Sequence, residues 1–166
     1  MSGTPRLRDS AARGMRELYG VARIVGLDVG ERRIGVAISD VTGTLARPVT
    51  ALRTTGLDGN ALAVALAEVA RLAAEEDGVA SIVVGIPRRL DGSANAMTPR
   101  IAVFADRLRA RSALPVTVQD ERLTSVEAES RLASRSSDWR DRKARLDAAA
   151  AAIILQDYLD SHPHLS

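Results

Sequence analysis

Residues 23–40 read Arg23-Ile24-Val25-Gly26-Leu27-Asp28-Val29-Gly30-Glu31-Arg32-Arg33-Ile34-Gly35-Val36-Ala37-Ile38-Ser39-Asp40. The first part is apolar with a single carboxylate, Asp28, set inside it. Gly30-Glu31-Arg32-Arg33 is polar and turn-forming. From Ile34 to Asp40 the residues alternate as a second strand does. Two strands joined by so short a turn predict an antiparallel hairpin. Thr42-Gly43 turns the chain again, and Ala46 to Arg53 supplies a third strand, so the segment predicts a three-stranded meander.

Beyond it the period changes. Leu62, Leu66, Val69 and Leu72-Ala73 lie on one stripe, which predicts an amphipathic helix from Asn60 to Glu76, ended by Asp77-Gly78. Ser81 to Ile86 is largely β-branched, with Ile82, Val83, Val84 and Ile86, as in a central strand covered on both faces. Pro87 to Ala96 is a polar loop. Thr98-Pro99 predicts an N-cap followed by Pro at the first helical position. Ile101, Phe104, Ala105 and Leu108 are the stripe of that second helix. Pro115 to Gln119 is a fifth strand. Thr124-Ser125-Val126-Glu127 fits a capping box opening a short helix to Ala133. An arginine-rich connection runs from Ser134 to Arg145, and a last helix from about Leu146 to Leu159. The order β-β-β-α-β-α-β-α-α predicts an α/β protein. Its mixed five-stranded sheet has three antiparallel strands, then two crossover strands, with helices on both faces. That is the order of the ribonuclease-H-like fold. No G-x-x-x-x-G-K-[ST] is present, which disfavours a P-loop protein.

With 166 residues, 46% hydrophobic and 27% charged, the chain suits one compact domain. Residues 1–21 are basic and lack sustained periodicity, apart from a short helix around Ala11–Leu18. They are expected to form a flexible extension, a solvated tail or a nucleic-acid arm, ahead of a folded domain over residues 22–166. No apolar run approaches the ~20 residues of a membrane span, and no signal h-region precedes the fold. A cytoplasmic protein without membrane contact is expected. There is no cysteine, and the histidines are His162 and His164 near the end of the chain. Thiolate chemistry, iron–sulfur clusters and a Ser-His-Asp triad are thereby excluded or strongly disfavoured. Tyr19, Phe104, Trp139 and Tyr158 are too few for a base-stacking platform.

The chemistry must then come from carboxylates, hydroxyls, arginines, backbone or a bound metal. Asp28 inside an apolar strand is costly unless paired or bound to a cation, although a carboxylate at a strand end also caps turns. Asp120 and Glu121 close the fifth strand on opposite faces, so only one of them can share a site with Asp28. The alternative is solvation of both, with Glu121 paired to Arg122. Asp147 shares a helix face with Ala151, Ile154 and Tyr158, the stripe that packs on the sheet. Its alternative is a first-turn aspartate favoured by the helix dipole. Three carboxylates from separate elements can converge at one edge of the sheet, and hard oxygen ligands without His or Cys suit one or two Mg²⁺ or Mn²⁺ ions. Cations follow the same edges: Arg32 and Arg33, Arg88 and Arg89, Arg122, then Arg142, Lys143 and Arg145. Each cluster alone is equally compatible with ordinary solvated surface. Together around a metal site they suit a phosphodiester.

Four motifs in order carry a resemblance. They are Gly26-Leu27-Asp28-Val29-Gly30 through Arg33-Ile34-Gly35-Val36-Ala37; Val84-Gly85-Ile86-Pro87 with Asp91-Gly92; Asp120-Glu121-Arg122-Leu123-Thr124; and Asp147 to Gln156. From Ala22 to Asp160 the chain closely resembles the YqgF family, also called RuvX, of pre-16S rRNA nucleases once catalogued as Holliday-junction-resolvase-like proteins. Ser125 stands where a second Thr is frequent. The resemblance implies a ribonuclease-H-like, metal-dependent nuclease in which Asp28, Glu121 and Asp147 are catalytic and hold the metal. Arg88 and Arg89 would position the substrate backbone, and the Gly85-Ile86-Pro87 turn would admit it. It further implies maturation of the 5′ end of 16S rRNA, with pre-rRNA and ribosomal precursor particles as partners. Two rivals stay open: a resolvase acting on branched DNA, and a non-catalytic, nucleic-acid-binding assembly factor. An actin-like phosphotransferase would need two lobes and is discounted. The helices show no second apolar face, so a monomer or weak homodimer is expected.

Overall fold

A computed structural model describes residues 23–121 and 139–162. Its five strands are β1 (Ile24–Val29), β2 (Arg33–Ser39), β3 (Ala46–Arg53), β4 (Ser81–Ile86) and β5 (Val116–Asp120). They form one sheet in the order β3-β2-β1-β4-β5. β2 is antiparallel to β1 and β3, whereas β4 is parallel to β1 and β5 parallel to β4. The meander and the two crossovers expected from the sequence are both present, in ribonuclease-H-like order. Pro48 lies in β3, an edge strand, where its missing N–H costs no central ladder bond.

Three described helices cover the sheet: α1 (Ala61–Ala73), α2 (Thr98–Ser112) and α3 (Trp139–Ser161). The alternation of each strand sorts the core in two. Val25, Leu27, Ile34, Val36, Ile82 and Val84 face α1 and α2, with Val69, Leu72, Ile101 and Leu108 among the helical residues packed there. Ile24, Ala37 and Val83 face the other way, against Ala151, Ile154, Leu155 and Leu159 of α3. β1 and β4 are covered on both sides, which explains their nearly continuous apolar sequence. No described helix is long and apolar enough to cross a membrane.

Several boundaries differ from expectation. α1 ends at Ala73 rather than Glu76. Arg23 contributes to that end: its buried guanidinium donates to the Leu72 carbonyl at 3.0 Å and the Gly78 carbonyl at 2.9 Å, and pairs with Glu75 at 3.0 Å. The first bond adds a donor to a carbonyl of the last helical turn, beside the Glu75 N–H at 3.2 Å, and the second ties the following connection to the same side chain. Thr98 is not the N-cap of α2. It is the first helical residue, and its hydroxyl donates to the Pro87 carbonyl. Asn95 does the local capping, its Oδ1 accepting the N–H groups of Met97 and Thr98 at 2.9 and 3.1 Å. β5 lies one residue later than expected. α3 begins at Trp139, not Leu146, so the supposed connection over residues 139–145 is helical. The short helices expected around Ala11–Leu18 and from Thr124 to Ala133 lie outside the described residues, as does the extension over residues 1–21.

Candidate active site

Asp28 occupies the next-to-last position of β1, and its neighbours across the sheet decide which way it points. Even-numbered residues of β1 face α3, as Ile24 does, so Asp28 projects beneath that helix. β5 pairs Asp120 with Ile86, whose side chain lies in the α1/α2 core. Asp120 thus belongs to the opposite face from Asp28, and Glu121, the next residue, belongs to the same face. The Glu121 N–H bonds the Ile86 carbonyl at 3.2 Å, which extends the β4–β5 ladder to the functional side chain. Alternation in the sequence allowed only one of the two; the resemblance implied Glu121, and the register puts that side chain on the face of Asp28.

Asp147 arrives from above. α3 runs antiparallel to β1: the Asp147 backbone lies over Gly35, while Leu155 lies over Gly26. Gly35 is the register partner of Asp28. Three glycines on this face, Gly26, Gly35 and Gly85, give α3 its close approach. A Cβ on Gly26 would stand 2.8 Å from Leu155 Cβ, and one on Gly85 would stand 2.5 Å from Ile154 Cδ1 and 3.2 Å from Glu121 Oε2. Gly85 lies within β4 and not in a turn, and its missing side chain makes room for α3 and the Glu121 carboxylate. Asp147 lies more than two turns inside α3, so the dipole reading of a first-turn aspartate fails.

The electrostatics show that the three carboxyl groups interact. Burial raises the Asp28 pKa to about 6; a hydrogen bond from Glu121 lowers it and the charge of Asp147 raises it. Burial raises Glu121 further, to about 9, reinforced by the charge of Asp28 and by the hydrogen bond Glu121 donates to it. The pair holds one proton between two oxygens, since like charges at this separation disfavour double ionisation. Asp147 is also raised by burial, against the opposing charges of Arg33 and Lys143. The Arg33 guanidinium stands 3.7 Å from Asp147 Oδ2, an ion-pair distance too long for a hydrogen bond.

Glu121 Oε2 and Asp147 Oδ2 are both buried without a hydrogen-bond partner. Oxygens of this kind are expensive to bury unless something positive meets them. Among the described residues, no three His, Cys, Asp or Glu side chains already form a metal-holding group. The donor chemistry is all carboxylate oxygen, with Glu121 Oε2 lacking a hydrogen bond and Asp147 Oδ2 met only by the Arg33 guanidinium at 3.7 Å, and it fits a hard dication.

The cations divide. Arg33 is mostly buried and faces Asp147; Arg32 is exposed in the β1–β2 turn. Arg88 is half-buried and donates to the Gly92 carbonyl at 3.4 Å, whereas Arg89 is exposed. Arg142 is half-buried and Lys143 exposed on α3, one turn before Asp147. Arg122 lies outside the described residues. The glycine cradle is the part that sequence reasoning missed. Its available signal was glycine recurring inside strand patterns, which marks close backbone approach.

A family model described as "RuvX: Holliday junction resolvase" matches residues 22–161. The chain belongs to the RuvX family. A RuvX-family relative from Chloroflexus aggregans, named "Putative pre-16S rRNA nuclease", is 46% identical over 138 residues, covering 83% of this chain and 93% of its own. One of the same name from Nocardioides sp. is 44% identical over 142 residues, 82% of this chain and 86% of its own. Among solved structures, Thermus thermophilus RuvC aligns with 84% of this RuvX-family chain and 95% of its own, at 14% identity and a TM-score of 0.48.

Proposed function

We propose that this RuvX-family protein is a divalent-metal-dependent nuclease that hydrolyses phosphodiester bonds, with Asp28, Glu121 and Asp147 as its catalytic carboxylates. The observation that carries the reading is the meeting of three carboxyl groups from β1, the end of β5 and α3 under one helix, with two buried oxygens lacking hydrogen bonds. One or two Mg²⁺ or Mn²⁺ ions, when bound, supply an activated water and charge stabilisation at the leaving oxygen. Asp28, on the central strand, lies between the other two carboxylates and would hold the cation together with them. To serve as a ligand, Glu121 would have to give up the proton it shares with Asp28 to solvent. Asp147 is held in depth by the contact of its backbone with Gly35. Arg88 and Arg89, at the same end of the sheet, hold the backbone of the bound strand, with Arg32, Arg122, Arg142 and Lys143 on flanking phosphates.

The substrate we infer is pre-16S rRNA, because the relatives at 46% and 44% identity bear that name. Cutting one end of an RNA needs one catalytic centre, and a single chain supplies it. A junction resolvase makes two symmetric cuts and so needs two centres related by a two-fold axis. The test is cleavage of pre-16S rRNA and of a four-way DNA junction, side by side, with Mg²⁺ and with Mn²⁺. Cleavage of the RNA at a protein concentration where the protein sediments as a monomer supports this reading. Paired cuts on the junction that track dimer content would replace it with the resolvase. Metal-independent binding with no cleavage of either would leave an assembly factor.

A further inference from the structure

The β2–β3 register sets Arg53 directly opposite Arg33. Opposed residues of an antiparallel pair project to one face, and like charges so placed repel. That face is the one α3 covers, because Arg33 reaches Asp147 from it. Arg33 and Lys143 both act on Asp147, so one carboxylate faces two cations there and leaves positive charge over. Arg53 is exposed, and no acidic partner meets it among the described residues. It is not loosely placed. The next N–H, that of Thr54, bonds the Arg32 carbonyl at 2.9 Å, which fixes the end of the hairpin.

Register also locates Arg53 relative to the carboxylates. Asp28 pairs with Gly35, and Gly35 with Ala51, so Arg53 lies two strands across and two residues further along. From strand spacing and rise, its Cα is roughly 12 Å from that of Asp28. An arginine side chain from there reaches a phosphate next to the scissile one, not the scissile phosphate itself. The repulsion between Arg33 and Arg53 is relieved when an anion joins them.

We propose that Arg53 is a phosphate-binding residue, forming with Arg33 a subsite at the end of the β2–β3 hairpin for a nucleic-acid backbone phosphate that flanks the cleavage position. The inference rests on the phosphodiesterase reading of the carboxylate centre, and it assigns the side of that centre over which the bound strand leaves. The contact reads charge and not sequence.

The test is binding of a fluorescently labelled single-stranded RNA of mixed sequence, measured in EDTA over a range of salt concentrations. Wild type is compared with Arg53→Gln, Arg53→Lys and Arg111→Gln, the last an exposed arginine at the far end of α2. Arg53→Gln should weaken binding several-fold and flatten the log–log salt slope by about 0.7, the value for one phosphate contact on a single strand. Arg53→Lys should keep the wild-type slope, and Arg111→Gln should bind as wild type. The thermal midpoint of Arg53→Gln should equal or exceed that of wild type, since a like-charge pair has been removed. An Arg53→Gln protein with the wild-type affinity and slope overturns the proposal, as does a loss no larger than that of Arg111→Gln. The two readings fail separately. RNA bound with the predicted Arg53 dependence but never cleaved contradicts the nuclease, whereas normal cleavage with Arg53-independent binding contradicts the subsite alone.

Discussion

The backbone of Asp147 rests on Gly35: the Asp147 carbonyl oxygen lies where a β-carbon on Gly35 would have to stand. Because Gly35 is also the register partner of Asp28, one missing side chain sets how closely two carboxylates from opposite layers approach. Gly35→Ala should push α3 off the sheet. Overpacking of this kind costs about 3 kcal/mol, or a fall of roughly 6–12 °C in Tm for a chain this size. Cleavage should drop further than stability explains, since Asp147 moves with the helix. Thermal melts and single-turnover rates on the same preparation check both.

Glu121→Gln and Asp120→Asn should separate cleanly. Asp120 lies on the face of Ile86 and Glu121 on the face of Asp28. The first substitution should abolish cleavage, by roughly 10³-fold or more, and the second should leave it within a few-fold. The reverse outcome would place the β4–β5 register one residue out.

The raised pKa of Glu121 has a sign that stability measurements can read. Its carboxyl keeps its proton in the folded protein up to about 9, whereas its ordinary value is 4.5. Between those values the unfolded chain binds fewer protons, so stability falls as pH rises. In EDTA, wild type should therefore lose stability across that window, and Glu121→Gln should lose less. Urea unfolding at a series of pH values checks this. An identical slope for both proteins would mean Glu121 is not buried against Asp28.

Arg23 should matter to the fold and not to the chemistry. Arg23→Met removes the guanidinium from the Leu72 carbonyl at the end of α1 and from the Gly78 carbonyl in the connection to β4, and it breaks the ion pair with Glu75. The expected loss is about 3 kcal/mol. Its site is at the start of β1, away from Asp28, so kcat should be unchanged at temperatures where the variant is folded.

Much of this was legible in the sequence, for physical reasons that differ by element. The hairpin from Arg23 to Asp40 and the strand Ser81–Ile86 stood out because β-branched runs between turn residues leave few alternatives. That Asp120 and Glu121 point to opposite faces needed only strict alternation, whereas the choice of Glu121 came from the resemblance and its face from the β4–β5 register. Asp147 was placed on the correct face because helical periodicity does not depend on where the helix begins. The start of α3 was misplaced because residues 139–145 are polar and carry no apolar stripe, although Arg, Lys and Ala are good helix formers. Arg23 was placed as the first residue of the hairpin stretch. Its burial depends on Leu72 and Gly78, some fifty residues away, which no local pattern reports. The same holds for Gly26, Gly35 and Gly85: a glycine in a strand announces a close approach but not its partner.

The most direct measurement of the central claim is the single-turnover cleavage rate of a 5′-labelled pre-16S RNA fragment, titrated with Mg²⁺, for wild type and Asp28→Asn. An amide is a poor ligand for a hard cation, and Asp28 sits between the other two carboxylates. The account predicts cleavage by wild type that rises from nothing with Mg²⁺ and saturates. It predicts a loss of roughly 10³-fold or more in a folded Asp28→Asn protein. Cleavage by wild type without divalent metal, or wild-type rates from folded Asp28→Asn, would contradict it.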